Sequence, residues 1–236
     1  MSTRSKIIIA LDYEDDSEVK QLIKKLSPQE CRLKVGTTLF TQYGPPLIQF
    51  LQQAGFEIFL DLKFHDIPQQ VSGACNSAAK LGVWMMNVHA LGGLKMLQAA
   101  KAAVDKAATS TQKRPLLIGV TLLTSLNQND IAQFNMSGSL DDNVLHLAAL
   151  CFEAGLDGVV CSAHEVEKLK KKFGAKFLCV TPGIRLPDDA AHDQQRIMTP
   201  TDAVKAGSDY LVMGRSITHA PIPLQVLQQV NQSIIA

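Results

Sequence analysis

The 236-residue chain lacks an excess of either charge: 23 lysines and arginines stand against 22 aspartates and glutamates. That removes the electrostatic case for a nucleic-acid or membrane-surface partner, since both are held through an uncompensated basic face. A cysteine pattern is missing as well. Cys31, Cys75, Cys151, Cys161 and Cys179 are odd in number and include no Cys-x-x-Cys. Neither a disulfide framework nor a zinc site is suggested, and a reducing cytosol is the expected compartment. No apolar run reaches bilayer-spanning length. The short polar start, Met1 to Lys6, leads into no signal segment, which again fits a cytoplasmic protein. His146, His164, His192 and His219 show no metal-ligand spacing. No Pro/Ser-rich or low-complexity stretch divides the sequence, so residues 1–236 are read as one domain.

What is present is apolar material, 46% of the chain, in short runs. Lys6–Leu11, Arg32–Val35, Glu57–Phe64, Trp84–His89, Leu116–Thr121, Gly158–Cys161, Lys176–Val180 and Tyr210–Met213 are rich in Val, Ile, Leu and Phe with little polar alternation. Strands buried on both faces read this way. Amphipathic helical patterns lie between them. In the first, Ser17 is the expected N-cap and Val19, Leu22, Ile23 and Leu26 form one stripe. In the third, Pro68 sits at the start and Val71, Ala74, Cys75, Ala78 and Leu81 recur at helical spacing. Thr199-Pro200 opens a later helix in the same way. Ala54-Gly55, Leu81-Gly82, Ala154-Gly155 and Ala206-Gly207 each stand between a helix and the next strand, where a glycine takes the left-handed turn at no side-chain cost. Eight strands alternating with helices give an α/β chain, and a single (β/α)8 barrel is the expectation at this length. Periodicity by itself does not separate the barrel from an open doubly wound sheet.

In such a barrel the chemistry sits at the C-terminal strand ends. Those ends carry Asp12, Lys34, the run Asp61-Leu62-Lys63-Phe64-His65-Asp66, His89, Thr121 and Thr124, Gly183-Ile184-Arg185, and Gly214-Arg215-Ser216. Strand alternation points Asp61 and Lys63 the same way, which in a barrel can be inward. A buried carboxylate and ammonium cost several kcal/mol unless paired, so the bland alternative is a structural ion pair at the rim. Two lysines with carboxylates at converging strand ends look instead like pre-arranged charge for a reaction that makes or moves charge.

Ile9-Ala10-Leu11-Asp12, Lys34-Val35-Gly36, Asp61-Leu62-Lys63-Phe64-His65-Asp66-Ile67-Pro68, Thr181-Pro182-Gly183-Ile184-Arg185, Asp193-Gln194 and Val212-Met213-Gly214-Arg215 together resemble the orotidine 5′-phosphate decarboxylase family. The likeness runs through almost the whole chain in order. The Asp-x-Lys-x-x-Asp element marks only a suprafamily; joined to Lys34 and the last-strand Gly-Arg it is far more specific. The resemblance implies a ribulose-phosphate-binding type of barrel and a cofactor-free carboxy-lyase that converts orotidine 5′-phosphate to UMP and CO2, the last step of de novo pyrimidine nucleotide synthesis. Lys63 would give a proton to C6 of the pyrimidine. Asp61 would face the departing carboxylate. Asp66, with Ile67 and Gln70, would reach into the neighbouring subunit's site, making a homodimer with shared active sites. Asp12 and Lys34 would hold ribose hydroxyls and Thr124 the base. Arg185, Gln194, Gly214 and Arg215 would hold the phosphate, with Gln194 on a closing loop. Gln70 departs from the family pattern, which leads one to expect threonine; its amide offers a similar hydrogen bond.

The same suprafamily contains magnesium-dependent sugar-phosphate enzymes, keto-gulonate phosphate decarboxylases and hexulose phosphate synthases, which carry a glutamate ligand where this chain has Lys34. An ammonium cannot ligate a metal, so no metal is expected. A non-catalytic nucleotide-binding barrel is the alternative from another class, but such a barrel would have shed Lys63 or Arg215. His65 and His89 are read as structural. Lys168, Lys170, Lys171 and Lys172 are read as a solvated helix face, Gly92-Gly93 as a turn, and Met85-Met86 as packing.

Overall fold

The computed structural model describes residues 5–108, 113–186 and 198–235. Eight parallel strands follow the sequence pattern closely: β1 Ile7–Leu11, β2 Arg32–Gly36, β3 Ile58–Phe64, β4 Met85–His89, β5 Leu116–Val120, β6 Gly158–Val160, β7 Leu178–Thr181 and β8 Tyr210–Met213. Each pairs with the next, and β8 returns to β1 through Ile7–Leu211 and Ile9–Met213. The sheet is therefore a closed barrel, and the open doubly wound alternative is excluded.

Both faces of the strands are apolar because both are covered. Ile8, Phe59, Met85, Ile118, Val180 and Val212 fill the inside. The alternate residues, such as Ile7, Ile9 and Leu11, pack outward into a larger core beneath the helices. Those helices are α1 Asp16–Ile23, α2 Thr37–Gln53, α3 Pro68–Lys80, α4 Gly93–Ala107, α5 Gln128–Gln133, α6 Leu140–Glu153, α7 Val166–Phe173, α8 Pro200–Lys205, α9 Arg215–Thr218 and α10 Pro223–Ile235.

Local chemistry sets the helix ends. The cap of α1 is Asp15 rather than the expected Ser17: the Asp15 carboxylate accepts the Ser17 N–H at 2.7 Å. Aspartate and serine serve equally well as caps, so residue type alone does not favour Ser17 over Asp15. Pro68 opens α3 at its first turn, and Thr199 caps α8 by accepting from Asp202 N. The four helix-ending glycines all take positive φ: 91° at Gly55, 73° at Gly82, 76° at Gly155 and 103° at Gly207.

The N-terminal end of the barrel is closed by one buried cation. Arg32, at the start of β2, bonds Glu57 through Nε at 2.8 Å and gives a further hydrogen bond to Ser5 O. Its guanidinium lies 4.2 Å from the centre of the Trp84 ring and 5.2 Å from that of Tyr210.

Candidate active site

At the opposite end the strand termini enclose a cavity of about 320 Å³. An adjoining lobe of about 790 Å³ shares Asp12, Lys34, Asp61, Lys63, Gly214 and Arg215 with it. Each lobe is in the size range of small-molecule sites.

The floor is a chain of alternating charge. Lys34 points inward from β2, and its Nζ lies 3.3 Å from Asp61 Oδ2 and 3.2 Å from Asp12 Oδ1. Lys63 Nζ lies 2.8 Å from Asp61 Oδ1. Asp61 is thus clasped between two ammonium groups. Burial would raise its pKa, but the charges of Lys34 and Lys63 outweigh that and hold it below the usual carboxylate value. Burial would likewise lower Lys34, but Asp61 and Asp12 outweigh it and hold Lys34 above the usual lysine value. Both groups therefore stay charged at neutral pH. Exposure is graded: the side chains of Asp61 and Lys34 are 11% and 12% exposed, that of Lys63 38%. Lys63 is the more exposed of the two lysines.

The Asp61–Lys63 pairing does not come from plain strand alternation. Between Leu60, opposite Met86, and Phe64, opposite Val88, β3 has three residues against one on β4, so the ladder is broken there. Lys63 sits in the break at φ +50°, a left-handed backbone that L-residues disfavour. Its N–H bonds the side chain of Asn87 on β4, at 2.8 Å to Oδ1, and the Asn87 amide in turn donates to Asp61 Oδ1 at 2.7 Å. Asn87 was not among the expected site residues. The available signal was a lone amide between apolar neighbours, Met-Met-Asn-Val, which a doubly buried strand tolerates only with a partner.

The far wall suits an anion. Arg185, 8% exposed, lines the cavity; its Nη1 donates to Ile184 O at 3.2 Å, and its buried Nε has no hydrogen-bond partner among the described residues. Arg215 opens α9 at the same wall, after Gly214. A Cβ on Gly214 would stand 3.7 Å from Ala10 Cβ and 3.8 Å from Asp12 Oδ2, which is ordinary contact. The glycine is therefore not needed to relieve a clash within the chain; it keeps that wall bare toward the cavity. Thr124, from the loop after β5, completes the lining with Leu122, Leu123 and Ser125.

The structure thus brings Asp12, Lys34, Asp61, Lys63, Thr124, Arg185, Gly214 and Arg215 around one cavity. It does not bring Asp66, Ile67 or Gln70 there. All three are exposed, Asp66 and Ile67 on the turn into α3 and Gln70 in its first turn, and the Asp66 carboxylate accepts the neighbouring Ile67 N–H at 2.6 Å. Gln194 lies outside the described residues. His65 stacks on His89 with ring centres 5.3 Å apart, and His89 Nδ1 accepts from Leu91 N. Burial, together with His65 and Lys63, lowers the His89 pKa to about 4, so it is neutral at pH 7. Among the described residues no three His, Cys, Asp or Glu side chains converge as a metal site. No helix there is long and apolar enough to cross a membrane.

Residues 5–230 match the model of the Orotidine 5'-phosphate decarboxylase / HUMPS family. The chain is 53% identical over 222 residues to an orotidine 5'-phosphate decarboxylase of Legionella pneumophila, covering 94% of this chain and 96% of that one. It is 51% identical over 231 residues to one of Nitrosococcus oceani, with 98% of each covered. The crystal structure of the Lactobacillus acidophilus orotidine 5'-phosphate decarboxylase superposes with a TM-score of 0.89 at 36% identity, over 99% of this chain and 100% of that one.

Proposed function

The chain belongs to the Orotidine 5'-phosphate decarboxylase / HUMPS family, and from that membership we propose that it decarboxylates orotidine 5'-phosphate to UMP. One observation carries the choice within the family: the Lys34–Asp61–Lys63 array at the cavity floor, with an ammonium where the sugar-phosphate members would need a metal ligand.

In this reading the phosphate is held by Arg185 and Arg215, and Gln194 is assigned to the same end of the substrate. Asp12 and Lys34 take the ribose hydroxyls, and Thr124 takes the base. The pyrimidine carboxylate lies toward Asp61. As the C6–carboxyl bond breaks, its electron pair stays on C6 and CO2 leaves. Lys63 gives its proton to C6, and the neutral amine is recharged from water. The ring offers no conventional sink for that pair, so preorganised cations beside C6 are what lowers the barrier. Asp61, held anionic, keeps Lys34 charged and aims both lysines. No cofactor is invoked.

The second carboxylate is assigned to a partner. The exposed Asp66–Ile67–Gln70 segment, with Ile67 62% exposed, fits a two-fold contact that delivers Asp66 to the other site. Residues 1–236 then act as one barrel domain within a homodimer. The five cysteines, all free and buried, fit the cytosol.

Mixing EDTA-treated protein with orotidine 5'-phosphate tests the reading. The orotate-ring absorbance is expected to disappear as UMP accumulates. No loss, or loss only after magnesium is restored, contradicts it.

A further inference from the structure

Asn87 is wholly buried, lines neither lobe of the cavity, and has no part in the reaction as proposed above. It nevertheless holds Lys63 twice. Its Oδ1 accepts the Lys63 backbone N–H at 2.8 Å, where the β3–β4 ladder is broken and a strand carbonyl would otherwise serve. Its Nδ2 donates at 2.7 Å to Asp61 Oδ1, the same oxygen that receives the Lys63 ammonium at 2.8 Å. One planar amide therefore fixes both ends of the lysine: the left-handed backbone directly, and the ammonium through the carboxylate. Without it, a buried N–H and a carboxylate lone pair lose their partner, and β3 has less reason to keep Lys63 at φ +50°.

We propose that Asn87 is a positioning residue for the proton transfer, locking Lys63 and Asp61 in the one geometry that aims the ammonium at the reacting carbon. The inference rests on the role given to Lys63 above. A filler amide would have no tie to the charge array, whereas Asn87 bonds both the Lys63 backbone and Asp61.

The test measures kcat, KM and UMP affinity for the wild type, Asn87→Ala and Asn87→Asp. Misplacing a reacting group by about 1 Å is worth about a hundredfold in rate. Asn87→Ala is expected to lose about that much kcat, with UMP affinity within about threefold of wild type. Asn87→Asp keeps the acceptor for Lys63 but sets a second carboxyl against Asp61. Its kcat is expected to rise on the acid side, where protonating the introduced carboxyl restores a donor, and the wild type should show no such rise. A folded Asn87→Ala with kcat within threefold of wild type overturns the proposal, as does an equal loss of UMP affinity. If Asn87→Ala does not fold, Asn87→Asp decides, and absence of the acid-side gain overturns it. Failure of both to fold marks Asn87 as fold support and also overturns it. An inactive wild type would instead sink the decarboxylase reading itself, so the two failures are distinguishable.

Discussion

Strand β2 sends two cations into the barrel, Arg32 at its N-terminal end and Lys34 two residues on, and their surroundings differ in kind. Arg32 is closed in: Glu57 neutralises it, Ser5 takes another donor, and Trp84 and Tyr210 cover it. Its charge is settled by contacts that leave no room for a ligand. Lys34 shares Asp61 with Lys63 and borders the cavity. There the charges are held in place by one another, and one side is left for a substrate. Burial of charge alone would not tell the two ends apart, since both contain nearly buried ion pairs on the same strand. What separates them is whether every charged group is finished by protein contacts.

The comparison breaks first if the open end is not catalytic. Lys63→Ala is expected to lower kcat by about a thousandfold or more, in line with loss of a positioned proton donor, while UMP affinity and folding persist. Retention of a tenth of wild-type kcat would remove Lys63 from the mechanism. Arg215→Ala should lower kcat/KM for orotidine 5'-phosphate by about a hundredfold, from loss of charge-assisted contacts. The slow reaction of orotidine, which has no phosphate, should barely change. Equal fractional losses on both substrates would make Arg215 a support of the fold.

The closed end should give the reverse pattern. Arg32→Met removes the ion pair with Glu57 and strips the two rings of their cation. Stability in urea is expected to fall by about 2–3 kcal/mol, below the range for a fully buried pair because Glu57 is partly exposed. kcat should stay within about twofold of wild type. A fall in kcat at unchanged stability would mean the two ends are coupled.

The smallest effect concerns His89. Its folded pKa of about 4 lies below the ordinary 6.5, so between those values the unfolded chain binds the extra proton. Stability should therefore decline as pH drops from about 6.5 toward about 4. With His89 only partly buried, the decline is at most about 1 kcal/mol. His89→Asn keeps an acceptor for Leu91 N–H and should flatten that part of the pH curve; an unchanged slope would assign it to other groups.

Most of the barrel was legible because each strand is buried on both faces and each helix ends by local rules. An apolar run, a Pro at the first turn or a Gly past the end needs no distant partner to be recognised. The site residues were legible mainly through resemblance to a family, since spacing alone gave only the shared direction of Asp61 and Lys63. The left-handed Lys63 and its tie to Asn87 were not legible, because that hydrogen bond joins residues 24 positions apart. Nor was the Arg32 plug, which depends on Trp84 and Tyr210 meeting across the barrel. Asp66, Ile67 and Gln70 stand outside the cavity of their own chain.

The most direct test of the central claim, that an ammonium at position 63 does the chemistry, is chemical replacement. The five native cysteines are at most 2% exposed, and burial pushes Cys31, Cys75 and Cys151 up to about 12, so alkylation should spare them. Lys63→Cys should be inactive with orotidine 5'-phosphate. Treatment with 2-bromoethylamine, which rebuilds an ammonium at nearly the lysine's length, should then restore kcat by at least about a hundredfold. A single adduct at residue 63, verified by mass, with no recovery of turnover would contradict it.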